Sequence, residues 1–141
     1  MHNKVNKMDI SSIQTTSYRI CLLILAGGFG AVCRYGLSTW LNNCDWCGKP
    51  WGILVCNLLG CFLIGLLSVV LTRHCSAETQ LIVITGFLGA FTTFSTYALD
   101  SVVLMEQTRY AAAFMNLALH NVLGIAMAFG GLTLGRFFIR G

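Results

Sequence analysis

A run of glycine, hydroxyl and aromatic residues at positions 85–97 interrupts an otherwise apolar segment of the chain. It reads TGFLGAFTTFSTY, with two glycines in its first half and mostly hydroxyl and aromatic side chains in its second. Lipid cannot satisfy free backbone N–H and C=O groups, so an irregular turn at membrane depth persists only inside protein or beside a water-filled path. Broken membrane helices also build ion sites from carbonyls and helix ends. The run therefore indicates ion handling.

The second half of this run has the chemistry of an anion path. Phe94 and Tyr97 are three residues apart and share one face of a helix, with the hydroxyls of Ser95 and Thr96 beside them. Aromatic residues at this spacing usually pack against neighbouring helices. Their ring edges are electropositive, however, and favour an anion that approaches in the ring plane. Ring edges and hydroxyls together would suit a small, strongly hydrated anion.

Further polar residues lie inside the other apolar segments, where they are rare and functional by default. Asn57 can form an interhelical hydrogen bond or donate amide N–H groups to an anion. Arg34 can extend to the interface or raise the anion concentration in a water-filled vestibule. Asn116 and His120, four residues apart, can form packing contacts or a polar stripe. The sequence leaves each of these pairs of alternatives open.

The composition is that of a membrane protein. Of 141 residues, 56% are hydrophobic and 10% charged, and the mean hydropathy is +0.74, whereas soluble domains carry about 25% charged residues. Apolar runs cover about residues 20–41, 51–72, 81–105 and 111–138, and each is long enough to cross the hydrocarbon core. We therefore predict an all-α membrane protein with a polar N-terminal tail at 1–19. A single four-helix domain follows at 20–141, its third helix broken at mid-membrane.

The basic residues favour an orientation with both termini inside, but only modestly. Four spans place the termini and the middle loop on one face, which holds Lys4, Lys7, Arg19, Arg73, Arg136 and Arg140. The other face holds Arg34, Lys49 and Arg109. Because basic residues near span ends mark the cytoplasmic side, this bias predicts termini inside and leaves insertion in both directions open.

Several other functions are disfavoured by what the chain contains. Cys44 and Cys47 form a lone CxxC pair without a βαβ context or a second pair, which favours incidental loop thiols or a local disulfide. No carboxylate pair, Ser/His/Asp set or ligand cluster falls on one predicted face, so an enzyme is not expected. A proton-coupled small-solute exporter of the four-helix dual-topology type is the alternative. It normally needs a membrane-embedded carboxylate, and the first two spans contain none.

Small residues repeat along the spans, as at Ala26 and Gly30, and let helix backbones approach closely in lipid. They predict a tightly packed bundle. Four spans enclose too little volume for a wide pore, so a conduction path needs a partner chain, and a dimer is the minimal assembly.

These motifs, taken in order, resemble the Fluc (CrcB) family of fluoride channels. The similarity runs from GGFGAVCRY at 27–35, through Asn57 with Gly60, to the signature-like GAFTTFSTY at 89–97, and continues to Gly131. It implies passive, fluoride-selective export across the cell (inner or plasma) membrane, which lowers cytoplasmic fluoride and its toxicity. It also implies an antiparallel dual-topology homodimer with two pores.

The resemblance further implies roles for individual residues. Backbone carbonyls of Gly89 and Thr92 from each subunit would hold a structural Na⁺ at the dimer interface. The pore would be lined by Asn57, Phe94, Tyr97, Ser95 and Thr96, with Arg34 in the vestibule, and Asn116 and His120 would continue a polar track.

The chain departs from the family pattern at two of these positions. Tyr97 stands where a second phenylalanine is usual, and His120 where a small hydroxyl residue is expected. Some family members work as paired, oppositely oriented homologues, so a homologous partner chain is the alternative to a homodimer.

Overall fold

The computed structural model describes residues 2–43 and 51–140, and it is helical in almost every described residue. Helix α1 covers His2–Asn43 and α2 covers Trp51–His74. Helix α3 covers residues 77–91, α4 covers Phe94–Glu106 and α5 covers residues 110–140. The Cys44–Cys47 pair lies outside the described residues.

Within this described part of the chain, four segments are long and apolar enough to cross a membrane. They are Ile13–Asn43, Trp51–His74, Ala77–Glu106 and Tyr110–Ile139. The third contains both α3 and α4. The prediction of four spans is confirmed, with bounds a few residues wider than the apolar runs. Helix α1 begins at His2, so helical geometry continues back through the polar residues that precede the first span.

The third span is broken near its middle, as predicted. Helix α3 ends at Phe91, and Thr92 (φ −88°, ψ 156°) and Thr93 (φ −148°, ψ 113°) are extended before α4 begins at Phe94. The break is therefore two residues long, and the glycines at 86 and 89 lie in the helix that precedes it. Most of α3, Leu81–Leu88, is a π-helix, a rare form that is frequent at functional sites. The sequence does not indicate it.

Small residues bring the helices together in two pairs. Gly30 of α1 lies against the backbone of α3, where an added Cβ would overlap the carbonyl oxygen of Phe87 and lie 3.2 Å from the nitrogen of Phe91. Gly65 and Gly131 bring α2 and α5 equally close. The predicted small-residue packing is confirmed at these positions. The Gly30 contact holds α3 against α1, and Gly60 of α2 lies against Thr92 at the end of α3.

Candidate ion site at the helix break

The break is held by one side chain of the neighbouring span. The Nδ2 of Asn57 in α2 donates to the carbonyl oxygen of Thr93 at 3.0 Å, and its Oδ1 accepts from the Thr93 N–H at 2.8 Å. One amide thus satisfies both backbone groups of a residue that has left helical geometry, at a depth where unpaired groups are costly. The interhelical hydrogen bond, one of the two interpretations of Asn57, is confirmed.

The start of α4 is capped from within. Thr93 is buried, and its Oγ1 accepts from the Thr96 N–H at 3.3 Å, the usual N-cap bond. The same oxygen lies 3.1 Å from the Thr96 hydroxyl and 3.3 Å from the Ser95 hydroxyl. The hydroxyls of Ser95 and Thr96 are therefore gathered on the cap. The remaining N–H groups of the first turn form the positive end of the α4 dipole.

The two aromatic residues of the run differ strongly in burial. The Phe94 side chain is 76% exposed on the chain, whereas Tyr97 is 7% exposed. Their ring centroids are 5.2 Å apart in an edge-to-face arrangement with an interplanar angle of 73°. An edge of one ring is therefore already turned toward its neighbour. Tyr97 also stacks on His120, with centroids 4.5 Å apart.

Residues of α5 complete this polar cluster. The Asn121 Nδ2 donates to the Tyr97 hydroxyl at 3.1 Å. The Asn116 Nδ2 donates to the Ser101 hydroxyl at 2.9 Å and to the Tyr97 carbonyl at 3.3 Å. His120 and Asn121 lie on a π-helical turn, Leu119–Leu123, which interrupts the α-helical register of the span. Asn116 and His120 are thus brought to the same cluster as Tyr97.

The His120 ring is fixed in one tautomer by its backbone partner. Its Nδ1 lies 3.0 Å from the carbonyl oxygen of Asn116, which can only accept, so Nδ1 carries the hydrogen. Its Nε2 is buried and has no hydrogen-bond partner among the described residues.

These helices enclose a cavity of about 280 Å³, which we call the break cavity. Predicted site residues on its wall are Asn57, Gly89, Thr92, Phe94, Tyr97 and His120. Its wall also includes residues that the sequence reasoning did not select, namely Cys61, Thr93 and Asn121. Asn121 has a signal that was available, since it is an amide inside an apolar span. Thr93 has the residue type and position of an N-cap.

The other predicted site residues lie elsewhere. Ser95, Thr96, Arg34 and Asn116 are not among the described residues that line the break cavity. Arg34 is half-buried on α1, where its carbonyl accepts from the Cys56 thiol at 3.8 Å. Its Nε is buried without a hydrogen-bond partner among the described residues.

The sequence comparisons cover the part of the chain that forms this site. A family model described as "CrcB-like protein, Camphor Resistance (CrcB)" matches residues 21–132, which contain every residue of the break cavity. A protein of Parabacteroides distasonis called fluoride-specific ion channel FluC is 39% identical over 86% of this chain and 95% of its own length.

Relatives with the same name occur in Solidesulfovibrio magneticus and Dichelobacter nodosus. The first is 42% identical over 84% of this chain and 96% of its own length. The second is 43% identical over 84% of this chain and 98% of its own length. The match to the family model and the near-complete coverage of these relatives show that the chain is a multi-pass membrane protein of the CrcB family.

Proposed function

We propose that this protein is a fluoride-selective channel that lets fluoride leave the cell passively across the cell membrane, lowering cytoplasmic fluoride and its toxicity. The choice of fluoride as the ion rests on the name of the relatives. The observation that carries the proposal is the break between α3 and α4, where an amide, a helix N-terminus and two aromatic rings meet at one cavity in a membrane span.

The break cavity offers fluoride donors without a fixed positive charge. Asn57 uses one of its two amide hydrogens on Thr93 and has a second. The first turn of α4 adds the positive end of a helix dipole, and the rings of Phe94 and Tyr97 add electropositive edges. Such groups can replace the water of a small anion one at a time. No Lys or Arg would trap the ion there, because neither occurs among the described residues of the lining.

The end of α3 fits a structural Na⁺. Because the Thr93 N–H donates to Asn57, it is not available to the Gly89 carbonyl four residues earlier. Carbonyls at the C-terminal end of a half-helix carry partial negative charge and coordinate Na⁺ in other broken membrane helices. As the resemblance to the family implies, the Gly89 and Thr92 carbonyls would hold the ion, which would add positive potential near the pore without being transported.

A second chain completes the proposed pore, as an antiparallel homodimer or with a homologous partner. Thr85 and Gly89 are exposed on the single chain at membrane depth, and lipid would not satisfy the Thr85 hydroxyl or the Gly89 carbonyl. In the most apolar window of the first span, only 6% of the residues are buried within the chain. A partner that covers this side would shield the break and bring a second pair of Gly89 and Thr92 carbonyls to the interface.

Fluoride efflux from liposomes tests the function. With wild-type protein we expect rapid, valinomycin-dependent fluoride release without chloride release. Uphill transport driven by a pH gradient would instead support a proton-coupled exporter. No flux of any ion from folded protein, alone or co-reconstituted with a homologue, would contradict the proposal.

The Phe94→Ile substitution tests the ring edge. We expect flux to fall about ten-fold, since losing about 1.4 kcal/mol of stabilisation costs that factor, while the assembly stays intact. Phe137→Ile is the matched control, because Phe137 is 74% exposed near the C-terminal end of α5 and does not line the break cavity. Wild-type flux in Phe94→Ile would remove the ring edge from the proposal.

A further inference from the structure

A second cavity of about 430 Å³ lies beyond the polar cluster, and we call it the outer cavity. It lies between the start of α2, the second half of α4 and the start of α5, near the turn at Gln107–Arg109. Gln107 and Arg109 on its wall are exposed, so the outer cavity opens at the end of the span.

The walls of the outer and break cavities are joined by hydrogen-bonded polar residues. Asn116 lines the outer cavity, and its carbonyl is bonded to the Nδ1 of His120, which lines the break cavity. Asn116 also bonds Ser101 and the carbonyl of Tyr97. The polar cluster therefore contributes to the walls of both cavities.

Among the described residues on the wall of the outer cavity, one carboxylate and one guanidinium are charged. Asp100 is half-buried on α4, and Arg109 is exposed on the turn after it. No ion pair joins them, since the ion pair found among the described residues is Arg19–Glu78. Without Arg109, Asp100 would present a negative charge to an approaching anion. With Arg109 at the mouth, that charge is offset on the side from which an anion arrives.

We propose that the outer cavity is an entry vestibule for the anion and that Arg109 is its steering residue. Arg109 raises the local concentration of anions at the mouth and offsets Asp100, because a cation beside low-dielectric walls attracts anions. This inference rests on the channel function proposed above and adds a residue that the pore itself does not contain.

The test must separate charge from membrane insertion, since Arg109 also lies near a span end. The variant Arg109→Cys is purified and modified in detergent before reconstitution, after insertion is complete. One portion receives a trimethylammonium-ethyl methanethiosulfonate and another a sulfonato-ethyl methanethiosulfonate, which differ in the sign of their charge. Arg136→Cys is the matched control, because Arg136 is exposed on α5 and does not line the outer cavity. Wild-type protein given both reagents reports any effect of the native cysteines.

We expect fluoride efflux from Arg109→Cys to fall about three-fold at an ionic strength of about 10 mM, to recover with the positive reagent and to fall further with the negative one. At about 0.5 M salt these differences should shrink, because the Debye length is then only a few ångströms. Arg136→Cys should show none of them. Equal flux in all three charge forms of Arg109→Cys, or differences that salt does not reduce, would overturn the inference. Both results presuppose that wild-type protein conducts fluoride. Absence of wild-type flux would instead count against the channel function.

Discussion

The α2–α5 interface and the break between α3 and α4 both bring backbone from different spans close together, but by opposite means. At the interface, Gly65 and Gly131 have no side chain, and the two helices touch through backbone atoms of Ala128, Leu132 and Leu66. At the break, backbone N–H and C=O groups leave the helix and are paired by the side chain of Asn57. At the interface, the backbone groups form their hydrogen bonds within their own helices. At the break, side-chain amides and hydroxyls form hydrogen bonds to the backbone instead.

This difference indicates where stability and function lie. A helix-to-helix contact made by small residues can only pack, since it offers no group to a ligand. A broken helix exposes helix ends, and with them the donors and carbonyls that ions need. We therefore expect substitutions at the interface to act on folding, and those at the break to act on conduction as well.

The largest effect is expected at Gly131. A Cβ added there would overlap the carbonyl oxygen of Phe62 and lie 2.9 Å from the nitrogen of Leu66, both backbone atoms that cannot move aside. Gly131→Ala should therefore lower the free energy of unfolding by about 3 kcal/mol or more, the upper end of overpacking costs.

The midpoint of thermal unfolding in detergent measures this effect. Gly130→Ala is the matched control, because a Cβ on the adjacent Gly130 meets nothing within 4 Å. Equal unfolding midpoints for the two variants would show that α2 and α5 separate easily. This result would contradict the expectation that substitutions at the interface act on folding.

Asn57 provides the second test, on the side of the break. Asn57→Leu leaves the N–H and the C=O of Thr93 unpaired inside the protein, which should cost about 2–3 kcal/mol of stability. It also removes the amide donor, so fluoride flux should fall about 100-fold, as when one preorganised donor is lost. Liposome efflux and thermal unfolding measure the two effects on the same preparation.

Asn57→Asp separates stability from conduction. An aspartate keeps an acceptor for the Thr93 N–H but donates nothing to the Thr93 carbonyl or to an anion, and it adds a negative charge. Flux should stay low whether or not the Thr93 N–H bond restores stability, because the carboxylate repels the anion and its burial offsets the bond that it regains. Recovery of flux together with stability would mean that Asn57 only supports the break.

Gly60 and Thr92 test how tightly the break is packed against α2. A Cβ on Gly60 would overlap the Cγ2 methyl of Thr92. Gly60→Ala should therefore destabilise the protein by about 2 kcal/mol. Thr92→Ser removes that methyl and keeps the hydroxyl, which bonds the carbonyl of Leu88 at 3.0 Å.

The double variant should then lose about 1 kcal/mol less unfolding free energy than the sum of the losses in the two single variants. Such a coupling is expected of residues in direct contact. Thermal unfolding of the four proteins gives this number. Strict additivity would show that the break relaxes around the new methyl group, unlike the α2–α5 interface.

The sequence predicts the helices and their packing well, but it does not predict the hydrogen bonds at the break. The four spans, the small-residue contacts and the break are local or periodic features, and hydropathy with residue type is enough to place them. The pairing of Asn57 with Thr93 joins residues 36 positions apart. It depends on how α2 is rotated against the break, which no local pattern encodes. The π-helical turn at Leu119–Leu123 shifts the register of α5, so a 3.6-residue pattern could not show that Asn121 faces Tyr97.

The smallest effect is expected at the Tyr97 hydroxyl, at a position where the resemblance to the family implies a phenylalanine. Tyr97→Phe removes the acceptor of the bond from the Asn121 Nδ2 at 3.1 Å and keeps the ring that stacks on His120. The unfolding free energy should fall by about 1 kcal/mol, the net value of one hydrogen bond. If the ring edge, rather than the hydroxyl, faces the ion, flux should change less than about two-fold. Fluoride and chloride efflux measured together show whether the ring edge or the hydroxyl faces the ion. Tyr110→Phe, at an exposed position, is the control. A larger change in fluoride flux, or the appearance of chloride flux, would place the hydroxyl in the ion path and make this side of the break cavity a hydrogen-bonding wall.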